Sequence, residues 1–127
     1  MKKAGKSYLV IDREEFCKKL QLRVVSGQEL LARQITSEET LEKFKAEISE
    51  WSDYNLELLK QSFNNPENEY RQEYKKSYIH LGFIGTHSLE DNIKTQKKKI
   101  ASYLKAIENL MSKAELIPTL QNDHKRN

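Results

Sequence analysis

The sequence predicts an all-α fold: a small helical bundle of three long helices plus one short helix, with an irregular crossover before the last helix. Three observations carry this. Apolar residues recur at three- and four-residue spacing through most of the 127 residues, as on the buried stripe of a helix. Capping residues stand just before these stretches, each followed three positions on by a residue able to reach back. The breaks fall at turn formers and prolines, Asn64-Asn65-Pro66 and Pro118. With 37% hydrophobic and 32% charged residues, the chain is too apolar and periodic for disorder, yet polar enough to keep wide wet helix faces.

Residues 1–7 read as a frayed basic tail. Tyr8, Leu9, Val10 and Ile11 could form a short strand but have no obvious partner, so they read as an extended apolar strap. Asp12 is placed to cap a helix with Glu15 in the reaching-back position, and Phe16 can close a hydrophobic staple with Ile11. This first helix is expected to run to about Gln34, with Phe16, Leu20, Val24, Leu31 and Ile35 on one side. Gly27 interrupts it, at a cost of about 1 kcal/mol relative to alanine. Either the helix kinks at Ser26-Gly27 or another helix approaches closely there. The apolar period continues in phase through the glycine, which favours close approach. The short connection over 34–37 predicts an antiparallel hairpin with the next helix.

That next helix, over 36–63, organises the chain. Thr36 and Glu39 suggest its capping box. Leu41, Phe44, Ile48, Trp51, Leu58 and Leu59 form its stripe, and Trp51 is the single tryptophan. Asn65 can cap a shorter helix with Pro66 in its first position, running to about Tyr78 and carrying Tyr70, Tyr74 and Tyr78 at four-residue spacing. Residues 79–85, with two glycines among large apolar side chains, break the pattern as an ordered crossover. Ser88, with Asp91 behind it, caps the last helix. Its stripe is Ile93, Ile100, Leu104, Ile107, Met111 and Ala114, widened by Tyr103, Leu110 and Ile117, and Pro118 ends it. One helical domain over 1–118 and a polar, disordered tail over 119–127 are expected.

The net charge of +3 is small but unevenly spread. The helix over 36–63 is acidic and the last helix basic, as for two helices lying side by side with complementary flanks. The sharper alternative makes Lys94, Lys97, Lys98 and Lys99, with Lys75 and Lys76, phosphate contacts of a nucleic-acid-binding module. No apolar run approaches the roughly 20 residues that span a bilayer. The apolar stretch near the N-terminus is too short for an export signal and has no cleavage site. A lone cysteine, Cys17, agrees with a reducing cytoplasm. His80, His87 and His124 share no helix turn, there is no metal-binding spacing, and Gly82 and Gly85 form only a lone Gly-x-x-Gly. No catalytic residue, metal or cofactor is expected, and no enzymatic activity.

The aromatic residues Trp51, Tyr54, Tyr70, Tyr74 and Tyr78 have two readings: core packing with phenols reaching the surface, or a recognition surface. Asn55 lies among them. A polar amide there needs a partner or costs about 1–3 kcal/mol, and it is expected to tie Tyr8 or the crossover to the hairpin. The candidate interaction surface is Tyr103, Leu110, Ile117, Tyr70, Tyr74 and Tyr78, serving a homodimer or a partner protein. The competing reading has the strap and the crossover sealing the second face of the last helix and leaving a monomer.

The run WSDYNLELLKQSFNNPENEYRQEY, from Trp51 to Tyr74, together with DREEFCKKLQLRVVSGQELL, resembles a known family region. It looks like the helical region preceding the catalytic domain in prokaryotic predicted nucleotide-binding proteins with a C-terminal TIR-like domain, associated with defence against phage. The shared pattern is a glycine inside the first helix, Trp-x-x-Tyr-Asn-x-x-Leu-Leu, a following Phe and a tyrosine-rich segment. Ile117-Pro118 fits the place where such a region hands over to the next domain. Within these 127 residues none of that family's nucleotide-handling residues has a counterpart, as expected either of an excised N-terminal domain or of a stand-alone relative. The resemblance implies a sensing, assembly or regulatory module.

Overall fold

Helices α1 (Arg13–Leu31), α2 (Glu38–Gln61), α3 (Glu69–Lys76) and α4 (Leu89–Ser112) make up the computed structural model, with a 3-10 turn at Ala114–Leu116. It describes residues 7–78 and 88–119. Three long helices and one short one are present as the periodicity predicts. The expected crossover over 79–85 and the tail from 120 onward lie outside the described residues.

Two helix starts match expectation. The Glu15 amide donates to the Asp12 carboxylate at 3.2 Å, and the Asp91 amide to the Ser88 hydroxyl at 3.0 Å. Two others shift. The box of α2 uses Ser37 and Thr40, not Thr36 and Glu39: the Thr40 amide donates to the Ser37 hydroxyl at 3.1 Å, and the Ser37 amide to the Thr40 hydroxyl at 3.0 Å. A threonine hydroxyl at the third position reaches back as well as a carboxylate. The start of α3 is three residues later than expected, because Asn65 spends its side chain accepting from the Glu67 amide at 3.0 Å. This Asx turn carries the chain past Pro66. Asn68 then caps, accepting from the Arg71 amide at 2.8 Å while donating to the carbonyls of Leu59 and Asn65 at 3.0 and 2.9 Å. It is fully buried, so one side chain both starts α3 and fastens it to α2.

The helix ends also move inward. α1 stops at Leu31 rather than near Gln34, and α4 at Ser112 rather than at Pro118. Pro118 disfavours the helical region for the residue before it, and Ile117 is extended at φ −83°, ψ 127°. The 3-10 turn occupies the interval, so Ala114 and Ile117 pack into the core without belonging to α4.

α1 runs antiparallel to both α2 and α4. Near its end Arg33 pairs with Glu47 of α2, and near its start the Arg13 guanidinium donates to the carbonyls of Ala114, at 3.1 Å, and Ile117. Its broadest packing is against α4, not against its hairpin neighbour. α3 lies across α2 and α4. The expected charge pairing of acidic α2 with basic α4 does not occur: none of the ion pairs among the described residues joins those helices. They meet through rings instead, Trp51 edge-on to Tyr103 at 6.4 Å.

The strap finds the partners that the sequence did not reveal. Leu9 is fully buried and bridges Phe63 antiparallel and Thr119 parallel. Its amide donates to the Pro118 carbonyl and that of Val10 to the Ser62 carbonyl, both at 2.9 Å. Ser7, expected in the basic tail, is buried and donates to Glu69 at 2.6 Å. Thr119, expected to begin the polar tail, is buried as well. No helix among the described residues is long and apolar enough to cross a membrane.

Candidate interaction surface

The tyrosine cluster forms around α2. Ser52 and Asn55 lie on its buried face, and Tyr74 of α3 lowers its phenol between them. The phenol oxygen is 3.0 Å from the Ser52 hydroxyl and accepts from the Asn55 amide at 2.9 Å. The Asn55 carbonyl accepts from the Arg23 guanidinium at 2.7 Å. Asn55 therefore ties α2 to α1 and α3 rather than to Tyr8 of the strap, while the crossover lies outside the described residues. Burial pushes the Tyr74 phenol up to about 12, opposed by its hydrogen bonds with Ser52 and Asn55. At neutral pH it is a held, protonated phenol, which makes it a structural group rather than a base.

Tyr103 of α4 is the ring the cluster shares, stacked on Tyr74 at 4.6 Å and tilted against Tyr78 at 6.1 Å. Tyr70 stacks on Phe63 at 4.9 Å. Desolvation raises the Tyr70 and Tyr103 phenols above the ordinary tyrosine value. Trp51 and Tyr74 are core, Tyr70 and Tyr78 are half-buried and Tyr54 is exposed, so the cluster is divided between core and surface.

The candidate surface is corrected accordingly. Tyr74, Leu110 and Ile117 are buried within the chain, while Tyr70, Tyr78 and Tyr103 are half-buried. Leu110 and Ile117 present no dimer face, because the 3-10 turn folds back beneath Arg13 and the strap hydrogen-bonds to Pro118. What remains open is a groove of about 540 Å³ between α3 and α4, lined by Tyr70, Ser77, Ala106 and Lys105, where Lys113 meets Glu73 at 3.5 Å. The lysines of the alternative reading also separate. Lys97 donates to the Arg33 carbonyl at 2.8 Å beyond the end of α1, and Lys99 sits 5.9 Å over the Tyr78 ring, while Lys94 and Lys98 are exposed.

Of the large apolar side chains that stand out, sequence reasoning named Tyr54 among its aromatic candidates but missed the two aliphatics on α1. Leu22 is 65% and Val25 41% exposed on α1, and Tyr54 is 54% exposed on α2 with the Arg23 guanidinium 4.2 Å over its ring. The available signal was two large aliphatics three residues apart, out of phase with Phe16, Leu20 and Val24. Cys17 is half-buried. Among the described residues no three His, Cys, Asp or Glu side chains gather as for a metal ion. The three histidines lie outside them. No family model, curated protein or solved structure matches the chain.

Proposed function

We propose that the chain is a non-catalytic helical interaction and regulatory module, working through contact with another protein surface. The observation that carries this is the pair Leu22 and Val25 on the outer side of α1, large aliphatics left in water by a fold that buries Phe16, Leu20 and Val24 of the same helix. Contiguous apolar surface ringed by polar residues is how interfaces are built. The tyrosine cluster supports the reading indirectly. The Tyr74 phenol joins α3 to α2, and Asn55 joins α2 to α1 through Arg23, which suits a rigid platform. The resemblance to the helical region beside a TIR-like effector points the same way, to a sensing or assembly role in a prokaryotic, cytoplasmic, phage-defence setting.

The nucleic-acid reading has less support, since Lys97 and Lys99 are committed to a carbonyl and a ring of the chain itself. A photoreactive residue placed in the whole protein at position 22, and separately at position 98, tests both readings in growing bacterial cells. Light-dependent protein adducts at 22 with none at 98 are expected. Nucleic-acid adducts at 98 alone, or no adducts at either site, would overturn the module reading.

A further inference from the structure

α1 packs on α4 and α2 with one side and leaves the other to solvent. At 100° per residue, Lys18, Leu22, Val25 and Glu29 fall within about 60° of arc on that outer side, opposite Phe16, Leu20, Val24 and Gly27, which are buried. Their spacing is four, three, four, the alternation of a two-helix seam. All four are exposed. The apolar pair stands in the middle, and a charge of opposite sign closes each end.

That arrangement reads the same from either direction once signs are exchanged. Place a second α1 antiparallel, with the two-fold axis between positions 23 and 24. Leu22 then faces Val25 of the other copy, and Lys18 faces Glu29, each contact occurring twice. A parallel pairing would set lysine against lysine and glutamate against glutamate. The charges therefore choose the orientation, as flanking charges do in helix pairs, and a two-fold contact closes on itself without leaving a free patch.

We infer that the chain pairs with a second copy of itself through the outer face of α1, antiparallel and two-fold. The inference rests on the interaction-module reading and names the partner. It also moves self-association from the end of α4, where Leu110 and Ile117 are buried, to a helix whose seam is open. One helix pair is a small interface, so the association is reversible and concentration-dependent.

Sedimentation equilibrium of the whole chain up to roughly 100 µM is the test. Mass should rise with concentration toward twice that of the monomer. Leu22→Glu should abolish the rise with helical circular dichroism unchanged, the position being solvent-facing. Lys18→Glu alone and Glu29→Lys alone should each weaken pairing about tenfold, since two attractions become two repulsions. The double exchange Lys18→Glu with Glu29→Lys should restore it. A monomer throughout, or a dimer indifferent to Leu22→Glu and to both single reversals, would overturn the inference. A monomer that still forms protein adducts of another mass at position 22 would sink self-pairing while leaving the module reading standing.

Discussion

Trp51 of α2 and Tyr74 of α3 both bury an aromatic ring with a polar tip, and they are held by opposite means. The Trp51 ring occupies the space a side chain at position 27 would need: a Cβ on Gly27 would lie 2.5 Å from its Cζ2 and 2.6 Å from Leu104 Cδ2. The indole N–H donates to the Arg23 carbonyl and the Ser26 hydroxyl, both at 3.1 Å. Tyr74 fits no such hole; its phenol is placed by Ser52 and Asn55. A contact made of shape tolerates no added atom. A contact made of hydrogen bonds tolerates no lost one, and it also responds to pH.

The largest expected effect tests the shape contact. Trp51→Ala should destabilise the chain by roughly 3–5 kcal/mol, the usual range for deleting a large buried aromatic. Denaturant unfolding measures it. A loss below about 1 kcal/mol would mean that Gly27 and Leu104 close over the gap, and that the ring is not the wedge between α1 and α4.

The next effect belongs to Tyr74 alone. Its phenol is raised from 10.0 to about 12, first by burial. Below pH 10 folded and unfolded chains both hold the proton, and the contribution is complete. As pH rises past 10 the unfolded phenol ionises while the folded one does not, so stability drains until the folded group also titrates. Across that window the loss is roughly 2–3 kcal/mol, at about 1.4 kcal/mol per pH unit. Tyr74→Phe should remove most of this alkaline slope, leaving the part due to Tyr70 and Tyr103, which are also raised. An unchanged slope in the variant would assign the alkaline loss to other groups.

The difference between the two contacts also explains what could be read from residues. A glycine inside an unbroken helical period announces a close approach, and Gly27 proved to be one, although side chains rather than backbone come near. Asn55 was visible as a polar residue needing a partner, but its partners are 32 residues before it and 19 after. No local pattern encodes those. The same division holds for the ends. Asp12 and Ser88 cap by local rules and were legible, whereas Leu9 is satisfied by Pro118 and Phe63. The α4 stripe was wide enough to suggest an uncovered face because strap and 3-10 turn cannot be placed from periodicity. Leu22 and Val25 passed unnoticed for the complementary reason: a pair out of phase with the main stripe has no meaning until that stripe is known to be buried.

Gly27→Ala sharpens the comparison at smaller scale. On an open helix the change would stabilise by about 1 kcal/mol. Here the new methyl collides with the fixed Trp51 ring, so a net loss of about 1–3 kcal/mol is expected, as for overpacking. A stabilised variant would show that Trp51 and Leu104 move aside cheaply, breaking the shape argument.

Ser52→Ala should have the smallest effect, a loss of about 1 kcal/mol or less. It removes one hydrogen bond, worth about 0.5–1.5 kcal/mol net, and alanine returns a few tenths through its higher helix propensity. Asn55 continues to donate to the phenol, so Tyr74 is not left unpaired. Single-variant stability alone cannot separate this from an ordinary surface change, but a double-mutant cycle with Tyr74→Phe can. If serine and phenol act on each other, the double variant should lose less than the two singles added, with a coupling of about 0.5 kcal/mol or more. Strict additivity would show that the 3.0 Å approach of the two hydroxyls holds nothing. Tyr74 would then be placed by Asn55 and by stacking on Tyr103, and the hydrogen-bonded contact would owe more to shape than its geometry suggests.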